Sequence, residues 1–366
     1  MSGERSIPKG TRILYAGTRK GFFVLAKLPG REWETHSCGL ADTEVRSLAV
    51  DPFDGITAYV GTTSRGLLRG TVAGPEAGQW EPVRAPMTST TTIVAHRASK
   101  GVVVAGSDPA SLYLSSDRGD TWRELAGLRS FPGRQYWWAP DGSPKVSAVA
   151  LHPNVPGVIY AGIEMGGLLG TDDGGSTWVE LGEVSKDVHA LDFHPQEPDV
   201  IFATTGQGLF RSVNRGAAWK PGGRGIDERF VEGISLHPRE PEVMVASAAA
   251  TPTLKGDDVP GAVYRTSDGG EAWKRVSSSS RSHVRRHALV SSRTEPGLFY
   301  CGNTEGEVFA SEDAGESWSR IGSGLPPILS VAIAESASSG ESFDFTAVAS
   351  RMQKGESSTG KCPFFA

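Results

Sequence analysis

Short apolar runs recur along the chain, each bounded by polar or glycine-containing turns. One kind reads "GVIYAG" (157–162), "DVIFAT" (199–204) and "GLFYCG" (297–302). A second kind lies upstream of the first and ends in His-Pro, as in "VSAVALHP" (146–153), "VHALDFHP" (188–195) and "VEGISLHP" (231–238). No window keeps the apolar period of 3.6 residues that a helix needs. The pattern therefore predicts many short strands.

A polar octad follows these runs five times, with Ser or Thr first, Gly in the middle and Trp last. The copies are "SSDRGDTW" (115–122), "TDDGGSTW" (171–178), "SVNRGAAW" (212–219), "TSDGGEAW" (266–273) and "SEDAGESW" (311–318). Asp can accept backbone N–H bonds, Gly supplies positive φ, and Trp can pack between sheets. Asn214 takes the place of Asp in the third copy and can accept the same bonds. The octads predict one folded turn, repeated.

Each repeat contains four short strands in about 40–45 residues, which is typical of a propeller blade. First strands are expected near residues 45, 90, 146, 188, 231, 286 and 328. The N-terminal segments "RILYAG" (12–17) and "GFFVLA" (21–26) correspond to the second and third strands of a blade. The missing first strand of that blade would be supplied by residues 328–335 at the other end of the chain. The prediction is an all-β, seven-bladed propeller over 12–335, closed by strands from both chain ends. Residues 1–11 would be a leader segment and 336–366 a Ser/Gly-rich tail without regular structure.

The octads resemble Asp boxes, the BNR repeats of sialidase-like, sortilin-like and xyloglucanase-like propellers. The five copies span 115–318, and degenerate blades extend the resemblance to about 12–335. The resemblance implies that each octad is a structural hairpin turn, on the side opposite the usual ligand pocket. It does not imply sialidase activity, because no Arg-Ile-Pro motif occurs and most tyrosines occupy repeated strand positions. Tyr136 is one of the few that do not.

Composition narrows the functional classes. The chain has 366 residues, with 46 Gly, 23 Pro, 9 Trp and a net charge of −5, so a dominant nucleic-acid surface is not expected. No apolar run is long enough to span a membrane, and "MSGERSIPKG" lacks the apolar region of a signal peptide. Cys38, Cys301 and Cys362 are widely spaced, which predicts free thiols in a reducing compartment. A cytoplasmic location is the expectation.

One position near the start of each first strand departs from the small, apolar pattern. Four of its seven residues can ionise, which predicts a polar ring at the mouth of the channel. The residues are Arg46, Thr91, Ser147, His189, Glu232, His287 and Ser330. His189, Glu232 and His287 come from three consecutive blades and could bind a divalent transition metal, the only cofactor suggested. The alternative is a polar pocket without metal.

Turns between second and third strands add Glu164, Arg65 and Gln207 on the same face as the ring, and Asp187 lies just before His189. Glu164, Asp187 and Glu232 are the candidate catalytic carboxylates. Arg46, Arg65, Gln207 and Arg286 are candidate ligand contacts, the arginines for an anionic group. The stretch 126–145 adds Tyr136, Trp137 and Trp138, which could stack on a sugar or fill a gap between blades. An insertion, 250–262, should lie over the same face.

Three functions fit this pattern. The first is a glycoside hydrolase-like or carbohydrate-binding propeller, with Glu164 paired with Glu232 or Asp187. The second is a metal-dependent hydrolase or lyase, with Glu164 as base. The third is a non-catalytic propeller that binds a protein partner, as in assembly factors of the photosystem kind, through Arg281, Arg285 and Arg286. A small-molecule or carbohydrate ligand is expected, and neither nucleic acid nor membrane.

Overall fold

The computed structural model describes residues 10–72, 78–139, 142–155, 157–182, 184–252 and 256–335. These residues form 28 strands and two short 3₁₀ helices, Ala126–Leu128 and Pro132–Tyr136, with no α-helix among them. No described helix therefore has the length and apolar character that a membrane span requires. The predicted tail, 336–366, lies outside the described residues.

The strands form four-stranded antiparallel sheets of consecutive segments. The chain begins with strands β1 (Arg12–Thr18), β2 (Gly21–Lys27) and β3 (Trp33–Ser37). Sheet 2 contains β4 (Val45–Val50), β5 (Thr57–Thr62), β6 (Leu67–Thr71) and β7 (Trp80–Pro82). Sheet 3 contains β8 (Thr90–Ala95), β9 (Val103–Ser107), β10 (Leu112–Ser115) and β11 (Arg123–Glu124). Sheet 4 contains β12 (Val146–Leu151), β13 (Ile159–Ile163), β14 (Gly167–Thr171) and β15 (Val179–Glu180).

The second half of the chain repeats this plan. Sheet 5 contains β16 (Val188–Phe193), β17 (Ile201–Thr205), β18 (Gly208–Ser212) and β19 (Lys220–Pro221). Sheet 6 contains β20 (Phe230–Leu236), β21 (Met244–Ala249), β22 (Gly261–Thr266) and β23 (Lys274–Ser279). Sheet 7 contains β24 (Val284–Ser291), β25 (Phe299–Asn303), β26 (Val308–Ser311) and β27 (Ser319–Gly322). The last strand is β28 (Ile328–Ile333).

Strands from the two chain ends pair in one sheet. Strand β28 lies antiparallel to β1, with Tyr15 opposite Ala332, and together with β2 and β3 they form sheet 1. Sheet 1 meets sheet 7 at a parallel bridge between His287 and Ser330. The innermost strands are β28, β4, β8, β12, β16, β20 and β24; each contacts the next, and β28 contacts both β24 and β4. This is the arrangement of an all-β propeller.

The octads fold into one turn, repeated from sheet 3 to sheet 7. In the first copy, Ser115 Oγ donates to Asp117 Oδ1 at 2.8 Å, and Asp117 Oδ1 accepts from the Thr121 N–H at 2.9 Å. Arg118 and Gly119 have φ values of 63° and 88°, and each later copy also has two consecutive positive φ values. Asn214 makes the same bonds as Asp, to Ser212 and Ala218. The expected hairpin geometry is therefore present.

Histidines stabilise the turns at the same edge of the sheets. His152 Nδ1 accepts the N–H groups of Asn154 and Val155 at 3.2 and 3.1 Å. His194 and His237 accept two N–H bonds in the same way, and so does His96, which the pattern of His-Pro pairs did not include. These histidines therefore have the structural role that their repetition indicates.

The cysteines do not all agree with the prediction of free thiols. Cys301 is buried and free, whereas Cys38 is disulfide-bonded, so the prediction is wrong for Cys38. Cys362 lies outside the described residues.

Candidate functional site

A register shift marks the predicted ring position on the innermost strands. In sheets 2 to 6 the pairing with the second strand skips one residue, which leaves an extra residue in a β-bulge. A bulge redirects a side chain away from the regular alternation of the strand. The extra residues are Arg46, Thr91, Ser147, His189 and Glu232. Five of the seven predicted ring residues thus share one backbone feature.

The two remaining positions differ from that simple bulge. On β24 the shift runs from Val284 to Leu289, so Arg285, Arg286 and His287 all lie in the irregular stretch. On β28 the extra residue is Leu329, because Ser330 pairs directly with Gly17. The prediction of Ser330 in the ring was therefore displaced by one residue, and an apolar side chain takes that position.

A cavity of about 300 Å³, the central pocket, opens between these strands. It brings together the ring residues of sheets 1 to 4 and 7 with side chains from the neighbouring turns. Its lining residues are Arg19, Glu44, Arg46, Thr91, Lys145, Val146, Ser147, Glu164, Gly256, Arg285, Arg286, His287 and Leu329. Arg46, Glu164 and Arg286 were predicted contacts, while Lys145 and Glu44 were not.

Arginine–carboxylate pairs form one wall of the central pocket. Glu44 accepts from Arg19 Nη1 at 3.2 Å and from Arg46 Nε at 2.8 Å. Arg19 also binds Asp257 through two nitrogens, at 2.9 and 2.7 Å, and Arg285 Nη2 reaches the same carboxylate at 2.9 Å. Burial alone would raise the pKa of Asp257, but the hydrogen bonds from both arginines outweigh it and lower that pKa. This wall is therefore ionised.

Glu164 lies on the opposite wall, in the turn between β13 and β14. Its side chain is buried, and Oε1 lies 3.4 Å from Lys145 Nζ. The backbone supports the pair, since the Glu164 N–H donates to the Lys145 carbonyl oxygen at 3.0 Å. The next residue, Met165, has a φ of 54°, a value that places strain on a non-glycine backbone. A strained turn thus fixes an ion pair in the pocket wall.

His189 lies between two candidate carboxylates behind this wall. Its Nδ1 donates to the Val231 carbonyl oxygen at 2.7 Å, and its Nε2 lies 3.2 Å from Asp187 Oδ2. Glu232 is buried, and its Oε2 lies 3.7 Å from Arg286 Nε. Burial works to raise the pKa of Glu232, but the charges of His189 and Arg286 outweigh burial and lower it. The pKa of Asp187 is lowered as well, because its bond to His189 outweighs burial.

These contacts do not form the predicted metal site. Among the described residues, no group of three or more His, Cys, Asp or Glu side chains is arranged to hold a metal ion. Both nitrogens of His189 face protein oxygens, and Glu232 faces Arg286. His287 hydrogen-bonds the backbone of Thr91, and burial lowers its pKa to about 4, so it is neutral at pH 7. The structure therefore does not bring His189, Glu232 and His287 together as ligands.

Two other predicted contacts lie away from the central pocket. Asp187 and Gln207 line a neighbouring cavity of about 480 Å³ with Met165, Lys186 and Phe210. Arg65 is exposed in the turn between β5 and β6 and does not line the central pocket. The reason is positional, because turns of successive sheets are spread around the mouth and only some reach its centre.

The aromatic stretch before β12 divides into packed and exposed rings. Trp137 stacks on Phe131, with ring centres 6.0 Å apart, and the Arg134 guanidinium lies 5.0 Å from its ring centre. Trp137 Cδ1 also lies 3.0 Å from where a Cβ atom on Gly166 would be, beside the turn that carries Glu164. Tyr136 and Trp138 are 77% and 57% exposed. Trp137 therefore anchors the segment, and its neighbours are left on the surface.

The unpredicted residues follow a signal in the sequence. Glu44 and Lys145 each immediately precede an innermost strand, at β4 and β12, as the predicted candidate Asp187 does at β16. The turn between second and third strands hydrogen-bonds to the segment before the innermost strand. For example, the Gly206 N–H in the turn donates to the Asp187 carbonyl oxygen. Comparing the repeats two residues upstream of the ring, at the position that Asp187 occupies in sheet 5, would have found Glu44 and Lys145.

Comparisons with known proteins agree on the fold. No family model matches the chain. Over 164 residues, 43% of the chain, it is 28% identical to a xyloglucanase of Hypocrea jecorina (strain QM6a), and this match spans 19% of that protein.

Many solved structures are similar to the chain, and two of them illustrate the match. An ancestral GH74 enzyme aligns with a TM-score of 0.56 and 14% identity, over 81% of this chain and 39% of that one. YCF48 from Cyanidioschyzon merolae aligns with a TM-score of 0.51 and 14% identity, over 77% and 87% of the two chains. Both neighbours are propellers, and at these identities they show the fold alone.

Proposed function

We propose that the chain is a closed, seven-bladed Asp-box propeller that binds a carbohydrate carrying a carboxylate group in the central pocket. The observation behind this proposal is the excess of cationic side chains around a small cavity. Among the described residues, Arg19, Arg46, Lys145, Arg285 and Arg286 line it against only Glu44 and Glu164. When Asp257 and Glu232, which contact Arg19 and Arg286, are counted as well, cations still exceed acids by five to four.

Two of these arginines have donors to spare. Arg46 uses Nε for Glu44, and Arg286 has only the longer contact from Nε to Glu232. Their terminal nitrogens have no hydrogen-bond partner among the residues that the structure describes. A guanidinium presents its donors as a planar fork that matches a carboxylate. An anionic group in the pocket would therefore gain charge-assisted hydrogen bonds that the protein leaves unmade.

Two features favour a sugar over a simple anion. The exposed rings of Tyr136 and Trp138 lie on the segment that packs against the Glu164 turn, and aromatic faces commonly stack on sugar rings. The sequence similarity to a xyloglucanase over 164 residues points to the same chemistry. Binding at the pocket and stacking beside it would together hold a short oligosaccharide.

Hydrolysis is the second candidate, favoured by that same similarity. A glycosidase needs one carboxyl group with a raised pKa to act as acid. The pKa values of Asp187 and Glu232 are instead lowered, and each is held by a basic partner. Glu164 is the remaining candidate carboxyl, and it lines the pocket together with Glu44. Glu164→Gln should abolish any turnover and leave ligand binding within about threefold, because the amide keeps the size of the side chain.

Calorimetric titration tests the binding proposal. The probes are galacturonate oligosaccharides and neutral xyloglucan oligosaccharides. We expect the acidic probe to bind and Arg46→Gln and Arg286→Gln each to weaken it about tenfold or more, the loss of one charge-assisted contact. Arg320→Gln, on the exposed strand β27, is the matched control and should bind normally. Tighter binding of the neutral probe, or no binding of either, would overturn the proposal.

A protein-binding role gains less support from the geometry. Arg285 and Arg286 turn inwards to Asp257 and Glu232, so only Arg281 of the predicted basic surface stays largely exposed. A partner would meet one such cation there.

A further inference from the structure

The insertion between β21 and β22 places one carboxylate far from its own sheet. Asp257 belongs to sheet 6, yet it binds Arg19 in the β1–β2 turn and Arg285 on β24. Its backbone carbonyl oxygen also accepts from Thr304 Oγ1 at 2.7 Å, in the β25–β26 turn. The following residues return to β22, with Val259 buried and its carbonyl oxygen 3.3 Å from His283 Nδ1. Asp257 is thus held over the rim of the central pocket by two other sheets.

The contact with Arg19 has the form of ligand recognition. Nε and Nη2 of Arg19 approach the two oxygens of Asp257 separately, at 2.9 and 2.7 Å. This two-point pairing is how arginine binds a free carboxylate. Arg19 and Arg285 both line the cavity, so the pairing with Asp257 lies beside the space that a ligand would enter.

We infer that Arg19 and Arg285 form a carboxylate-binding clamp, in which Asp257 is an internal occupant that an external carboxylate displaces. The inference rests on the proposed function for the identity of the natural ligand. It adds the position where the anionic group of the ligand binds, and a reason why some carboxylates bind and others do not. The clamp is accessible, since the Arg19 side chain is 38% exposed and those of Asp257 and Arg285 are 22% exposed.

Partial exposure means that the pair can exchange. An ion pair near the surface contributes little net free energy, because water solvates the separated groups well. An internal carboxylate nevertheless competes with free anions at a high effective concentration, because the chain keeps it nearby. Small anions would therefore be excluded. A ligand that also contacts Arg46 or the Lys145–Glu164 pair has the extra contacts that displacement of Asp257 requires.

The alternative is that Asp257 is only a structural tie for the insertion. The two accounts differ in what happens when the carboxylate is removed. A structural tie predicts lower stability and no gain in anion binding beyond a general change of charge. The clamp predicts a vacant site that simple carboxylates fill.

The test uses Asp257→Ala, with the acetate dependence of the melting temperature measured against chloride at equal ionic strength. If Asp257 fills the clamp in about nine molecules of ten, its removal should lower the half-saturating acetate concentration about tenfold. Glu44→Gln is the matched control, because it removes another carboxylate from Arg19 and changes the charge equally. An equal gain in both variants, or none in Asp257→Ala, would overturn the inference.

Two further measurements strengthen the test. Asp257→Ala combined with Arg285→Gln should lose the gain, and a gain that persists would place the anion elsewhere. Phosphate at equal ionic strength is the second probe, and a gain for phosphate alone would overturn the assignment to carboxylates. Both use simple anions, so a failure of the clamp is separate from a failure of wild-type protein to bind galacturonate oligosaccharides.

Discussion

The two edges of the sheets follow opposite rules. At one edge, the turn edge, the octad of each of five sheets makes the same hydrogen bonds, and its backbone N–H groups reach the preceding turn of the same sheet, as Gly174 does to Gly157 at 3.0 Å. At the other edge, the mouth, the corresponding residues vary from sheet to sheet. Arg46, Ser147, His189 and Glu232 share a bulge and little else. Repetition therefore identifies the residues that stabilise the fold, and variation at a repeated position identifies the candidate site.

The largest effect should come from breaking the turn edge at Trp273. This side chain is 5% exposed, and its Nε1 donates to the carbonyl oxygens of Gly222 in the preceding sheet and of Gly270 in its own turn. Trp273→Ala should lower the free energy of unfolding by about 3–5 kcal/mol, as buried Trp truncations do, without changing ligand affinity. Urea denaturation and titration measure the two. Trp138→Ala, an exposed Trp, should cost less than about 0.5 kcal/mol.

The close approach of neighbouring sheets gives the next effect. A Cβ atom on Gly302 would lie 2.4 Å from Ile328 Cγ2, so β25 can pack against β28 only with glycine there. Gly302→Ala should cost about 1–3 kcal/mol of unfolding free energy through overpacking. Gly223→Ala is the control, since its nearest atoms would be at 3.6 Å. Equal melting temperatures for the two variants would show that the sheets can separate without cost.

Thr204 occupies in sheet 5 the position that Gly302 occupies in sheet 7, and it lies next to the candidate site. Its hydroxyl accepts from the Ala190 N–H and donates to the Glu232 carbonyl oxygen, both at 3.0 Å. Thr204→Val keeps the shape and leaves both groups unpaired, at a cost of about 1–3 kcal/mol. Since these groups flank the bulges of His189 and Glu232, ligand affinity should fall as well. A stable variant with wild-type affinity would show that ligand binding does not depend on these bulges.

These residues also show what the sequence could predict. Strand starts were predicted within two residues, because periodic apolar runs and octads reflect local geometry that recurs in every sheet. The ring position was found for Arg46, His189 and Glu232, but Ser330 was assigned in place of Leu329, since a bulge shifts register without a sequence signal. Pairings across sheets, such as Asp257 with Arg19, could not be predicted, because they depend on how far an insertion reaches.

The smallest effect concerns pH and sharpens the comparison within the turn edge. Hydrogen bonds within the turns lower the pKa of Asp117 to about 2, and similar bonds outweigh burial to lower that of Asp313 to about 2. A carboxylate with a lowered folded-state pKa stabilises the fold above its unfolded value, about 3.9, and that contribution disappears as pH falls through the folded value. The turn with Asn214 cannot lose stability in this way. Asp117→Asn with Asp313→Asn should therefore flatten the decline in melting temperature between about pH 4 and pH 2. If the double variant declines as steeply as the wild type, the acid sensitivity comes from other carboxylates, and the Asp in these turns contributes only what Asn214 already supplies.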